Sequence, residues 1–104
     1  RRAKDGSFLW PGYGENSRIL KWAIERIEGE ADAVETPLGF APAPGSIDVD
    51  GLNVSENAMA DALHVDKSEW QAELPLIEEW FKKIGGKLPQ EMSVELGKLR
   101  GGVN

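Results

Sequence analysis

The side chains best suited to chemistry lie together in one short stretch, Phe8-Leu9-Trp10-Pro11-Gly12-Tyr13-Gly14-Glu15-Asn16-Ser17-Arg18. Aromatic faces hold a planar ring by stacking, worth ~1–3 kcal/mol per nucleic-acid base. The carboxamide of Asn16 offers an acceptor and a pair of donors, which suits it to reading the edge of such a base. The segment leads into a helix, whose first turn leaves N–H groups unpaired and carries a partial positive charge. Together these features describe a pocket for a nucleobase. A competing reading makes Phe8, Trp10 and Tyr13 core anchors at the junction of a hairpin and a helix.

Other patterns carry less. Gly12-x-Gly14-x-x-Ser17 lacks the third glycine of a dinucleotide fingerprint, and Pro11 interrupts the strand that should precede it. Ser46-x-Asp48-x-Asp50-Gly51 has the spacing of a calcium loop, but with Gly51 at the sixth position Ser46 and Asn57 stand where Asp and a bidentate Glu are required. Asx turns suit this stretch better. His64, the one histidine, has no second soft ligand near it in sequence. Glu78-Glu79 and Lys82-Lys83 sit four residues apart and read as a solvated helix face. No nucleophile–base pair is evident, so no catalytic residue and no metal ligand is assigned.

The elements that must position the Phe8–Arg18 stretch follow from turn chemistry and apolar periodicity. Residues 1–10 read as a β-hairpin about a two-residue Asp5-Gly6 turn of type I′. A helix is predicted from Glu15 to Ile27, with Ile19, Leu20, Ala23, Ile24 and Ile27 on one face and Gly29 to end it. Pro37, Pro42, Pro44 and Gly45 make 31–54 an extended connection with at most short strands. Ser55 can cap a short helix carrying Met59 and Leu63, and Asp66 with Glu69 opens a longer one. There Trp70, Leu74, Ile77, Phe81 and Ile84 form a buried stripe, Pro75 should kink the helix, and Gly85-Gly86 should close it. A last helix starts near Pro89, carries Met92, Leu96 and Leu99, and should stop at Gly101-Gly102. The fold class is α+β, with an N-terminal hairpin followed by a mainly helical chain.

The 104 residues include 18 acids and 12 bases, a formal net charge of −6. An acidic chain of this kind lacks the basic surface that nucleic-acid binding requires. Residues 31–66 hold seven acids and no Lys or Arg, whereas 1–30 hold six bases against five acids. An anionic ligand is therefore to be sought near the N-terminal third. Cysteine is absent, which rules out disulfides and thiolate metal sites in these residues. No apolar run approaches the ~18 residues of a bilayer span, and no signal peptide is recognisable. The start on Arg1-Arg2, without Met, suggests a piece of something larger.

The Phe8–Arg18 motif followed by Ile19-Leu20-Lys21-Trp22 resembles the guanine-binding segment of the GTP-dependent phosphoenolpyruvate carboxykinases. The likeness continues through Thr36-Pro37-Leu38-Gly39-Phe40 and Leu74-Pro75-Leu76-Ile77-Glu78-Glu79, so it covers nearly the whole chain. The resemblance implies the C-terminal part of a larger nucleotide-binding domain, with 1–30 as guanine-binding hairpin and helix, 31–54 as extended connection and 55–104 as helical C-terminus. It implies a cytoplasmic, monomeric enzyme of gluconeogenesis that converts oxaloacetate and GTP to phosphoenolpyruvate, carbon dioxide and GDP with the help of Mn2+ and Mg2+. It places Phe8 and Tyr13 among the aromatics that sandwich guanine, Asn16 on the base edge, and Gly14 and Glu15 in the same contact segment. A third aromatic would fall just before Arg1. The family commonly has Phe where Tyr13 stands, which preserves stacking. Its phosphate loop, metal ligands, oxaloacetate-binding arginines and lid would all lie upstream, so 1–104 alone should be inactive. A rival from another class is a non-catalytic helical domain whose aromatic hairpin docks a protein partner.

Overall fold

The structure, a computed structural model, describes residues 1–104. The chain folds as two compact units, one formed by 1–35 and 40–64 and the other by 36–39 and 65–104. Each has its own small core.

In the first unit, pairing at the N-terminus is confined to one antiparallel bridge, Arg2 to Phe8. The turn between them differs from the predicted type. Gly6 N–H donates to the Ala3 carbonyl at 3.0 Å and Ala3 N–H to the Ser7 carbonyl at 2.8 Å. The loop is therefore three residues long, with Gly6 at φ 86° and no other residue at positive φ before Gly12. That is a turn followed by a glycine bulge; a type I′ turn would also need positive φ at Asp5. The Asp5 carboxylate stabilises the bulge by accepting from the Ser7 N–H at 3.0 Å and hydroxyl at 2.6 Å, which holds its pKa below the usual carboxylate value.

A short 3-10 turn, Tyr13–Glu15, precedes helix α1, Ser17–Ile27. The helix closes as its sequence predicts: Gly29 N–H reaches the Arg26 carbonyl at 3.2 Å and Glu30 N–H the Glu25 carbonyl at 2.8 Å. These paired bonds satisfy the last carbonyls of the helix. Its apolar face is another matter, because Leu20, Ile24 and Ile27 are all exposed, Ile27 to 86%. The residue that anchors α1 is Trp22, half-buried and donating from Nε1 to the Asp32 carbonyl at 3.2 Å. Leu9, Ala31 and Ile47 form the buried core of this unit.

Strands β1, Ala33–Thr36, and β2, Gly39–Pro42, form the one two-stranded sheet. It lies inside the segment predicted as an extended connection. Thr36 ties the two-residue turn: its hydroxyl donates to the Gly39 carbonyl at 2.7 Å and accepts from Leu38 N–H at 3.2 Å. Helix α2, Glu56–Leu63, begins at Ser55, whose hydroxyl accepts from Ala58 N–H.

The second unit is built on helices α3, Lys67–Ile84, and α4, Gln90–Val103, packed against each other. Asp66 caps α3 as predicted, its carboxylate accepting from Ser68 N–H at 2.8 Å and Glu69 N–H at 3.3 Å. The helix runs unbroken through Pro75. Leu74 is buried and Trp70, Ile77 and Phe81 half-buried, whereas Ile84 at the end of the stripe is exposed. Residues 85–87 form a 3-10 turn.

Helix α4 does not stop at Gly101-Gly102; it continues to Val103, which is fully buried and accepts through its carbonyl from Gln71 Nε2 at 2.6 Å. The reason is packing. A Cβ on Gly102 would lie 2.6 Å from the Pro37 carbonyl oxygen, so glycine serves a close approach here and not a helix end. An open groove beside it is lined by Pro37, Leu38, Trp70, Phe81, Leu96 and Leu99.

Candidate functional site

The Phe8–Arg18 stretch belongs wholly to the first unit. The bridge between Arg2 and Phe8 fixes the near side. Arg2 lays its guanidinium over the Phe8 ring, 4.2 Å from the centroid, and is held there by donating to the Gly6 carbonyl at 2.8 Å. One face of Phe8 is thus covered by a cation, yet the side chain stays 69% exposed.

The 3-10 turn that follows projects Tyr13, which is 91% exposed and whose hydroxyl has no partner in the chain. Glu15 N–H donates to the Gly12 carbonyl at 3.1 Å and Asn16 N–H to the Tyr13 carbonyl at 3.0 Å, so 12–16 is a single hydrogen-bonded turn. Gly14 lies within it, with no atom within 4 Å of the point where a side chain would begin. Residues 13–16 are brought together by this turn.

Asn16 does not cap α1 with its side chain. Its Oδ1 accepts instead from Trp10 Nε1 at 2.9 Å. The Asn16 NH2 group makes no hydrogen bond within the chain and Asn16 is exposed, so two donors face outward. The sequence sets Trp10 beside the candidate site but does not reveal its bond to Asn16, because residues six apart touch neither along a helix nor along a strand and only the intervening turn brings the two together.

Glu15 is fixed from the other side. Its Oε2 accepts from Arg18 Nε at 2.8 Å, and the same guanidinium donates through Nη1 to the carbonyls of Asp48 at 3.0 Å and Asp50 at 2.8 Å. Lys21 adds an ion pair to Asp48 at 2.8 Å. The hydrogen bond from Lys21 is the main cause holding the Asp48 carboxyl below its usual range, and that to Asp48 holds Lys21 above its own. Asp48 also accepts from Asp50 N–H at 3.0 Å, an Asx turn in the segment with calcium-loop spacing. No group of three or more His, Asp or Glu side chains stands where it could hold a metal ion. His64 is exposed, and its carbonyl accepts from Arg1.

The core-anchor reading fails for Phe8 and Tyr13, since neither is buried; Leu9 between Phe8 and Trp10 takes the core position. What remains is an exposed aromatic surface beside an outward-facing amide donor. Residues 1–101 match the family described as phosphoenolpyruvate carboxykinase C-terminal P-loop domain. The chain belongs to this family. It is similar to the protein named phosphoenolpyruvate carboxykinase (GTP) of Renibacterium salmoninarum, 55% identical over 97% of this chain and 16% of that protein. The protein of the same name from an Arthrobacter species is 54% identical over 96% of the chain and 16% of its own length. One from an Anaeromyxobacter species is 45% identical over 91% of the chain, again 16% of its length. The chain thus spans about one sixth of the length of these relatives. It contains no Gly-x-x-x-x-Gly-Lys-Ser/Thr phosphate loop of its own.

Proposed function

We propose that these 104 residues form the guanine-reading part of a GTP-dependent phosphoenolpyruvate carboxykinase, which converts oxaloacetate and GTP to phosphoenolpyruvate, carbon dioxide and GDP. The observation that carries the reading is the outward-facing NH2 of Asn16 on the same turn as the exposed Tyr13 ring, in a chain whose family match covers 1–101.

In this reading Phe8 and Tyr13 give their faces to the purine, Gly14 and Glu15 lie along it, and Asn16 donates to its edge. Stacking and edge contacts need no basic surface, in keeping with the acidic composition. By the family likeness, the triphosphate, oxaloacetate, Mn2+ and Mg2+ are bound by residues outside this chain. Decarboxylation and phosphoryl transfer take place there. The family likeness carries the further expectation of a monomer acting in the cytoplasm.

The test is Asn16→Ala in the full-length enzyme. It leaves the base edge unpaired and should lower the preference for GTP over ATP by at least about tenfold in kcat/KM. An unchanged preference would remove Asn16 from the site.

A further inference from the structure

The geometry points to Trp10 as a positioning residue that selects guanine by fixing the orientation of the Asn16 amide. An asparagine side chain has two nearly isosteric ends, an acceptor and a donor, and turning it over reverses what it reads. An indole N–H can only donate. The atom 2.9 Å from Trp10 Nε1 must therefore be the Asn16 carbonyl oxygen, and the end left facing out is the NH2. A single neutral hydrogen bond biases such a choice by about fivefold to tenfold.

The consequence for a purine is direct. Guanine presents the acceptors O6 and N7 on one edge, where adenine presents N7 and the N6 amino donor. An NH2 held outward pairs with O6 and opposes N6. Freed from Trp10, the amide turns over and offers its oxygen to the adenine amino group. Trp10 is well placed to act as a fixed reference, because it is half-buried and follows directly on the buried Leu9. Its role is distinct from stacking: it acts on the base through Asn16.

The inference rests on the reading of Asn16 as the base-contacting residue, and the experiment separates the two. KM and kcat for GTP and for ATP are measured in the full-length carboxykinase with Trp10→Phe, which keeps a ring and removes the N–H, beside Asn16→Ala. The expected result is a split. In Trp10→Phe the KM for GTP rises and that for ATP falls, lowering the preference by about fivefold to tenfold. A merely structural role would raise both. If Asn16→Ala loses the preference and Trp10→Phe keeps it, or raises both KM values alike, the positioning role is overturned and the site stands. If Asn16→Ala keeps the preference, the site reading fails and takes this inference with it. Should Trp10→Phe not fold, replacing Trp10 by β-(3-benzothienyl)alanine, which has sulfur in place of N–H in the same ring outline, decides by the same criteria.

Discussion

Tyr13 separates into two experiments, because its ring and its hydroxyl do different things. The hydroxyl bonds to nothing in the chain, so Tyr13→Phe should leave the KM for GTP within about twofold. Loss of the ring removes a stacking face worth ~1–3 kcal/mol, so Tyr13→Ala should raise that KM by about tenfold or more; steady-state kinetics of the full-length enzyme with GTP distinguishes the two. The proposed roles could be read from sequence because they depend on residue type: a flat ring beside a carboxamide suits a base wherever the backbone puts them. The Trp10–Asn16 bond and the Arg2 guanidinium over Phe8 could not, since each depends on how a turn folds back and on no periodicity.

Elements were legible wherever a local rule had no competitor. Asp66 caps α3, Gly29 closes α1, and the α3 stripe turns inward at Leu74. Asp66→Ala should cost about 1 kcal/mol, seen as a lower urea midpoint with the slope unchanged. The misses come from rules shared by several structures: Asp-Gly suits both two- and three-residue hairpin loops, and paired glycines serve close packing as readily as helix ends. The tether between α1 and the 48–50 turn has a definite pH signature. Asp48 titrates below the usual carboxylate value, so its contribution is complete above that value and is lost as pH falls through the lower, folded one. Lys21 titrates above the usual lysine value, so its contribution is complete below that value and is lost as pH rises through the higher one. The ion pair should therefore persist across the whole neutral range. An NMR titration placing the Asp48 carboxyl midpoint at or above that of an unperturbed aspartate would contradict it.

At the scale of the whole molecule the cores are small, with Leu9, Ala31 and Ile47 buried in one unit and Leu74 and Val103 in the other. Two small cores leave apolar surface uncovered, most of all on α1, where Leu20, Ile24 and Ile27 face solvent. The isolated chain should bind a hydrophobic dye such as ANS and show no carboxykinase turnover; turnover by the 104 residues alone would refute the division of labour proposed above. Changing Leu20, Ile24 and Ile27 together to Gln should reduce dye binding by the isolated chain. Composition and periodicity made the α+β class readable from sequence. They could not reveal that the tip of the β1–β2 hairpin belongs with the second unit, because that contact joins 36–39 to residues at least twenty-five positions away.

Gly102 gives that contact a further meaning. The Pro37 carbonyl comes so near that no side chain fits between them, so the gap between hairpin tip and α4 is set by a hydrogen atom. In the vocabulary of substitution, the position has an alphabet of one letter. Gly102→Ala acts as a wedge, and what it would pry apart is the wall of the groove between Pro37 and Leu99.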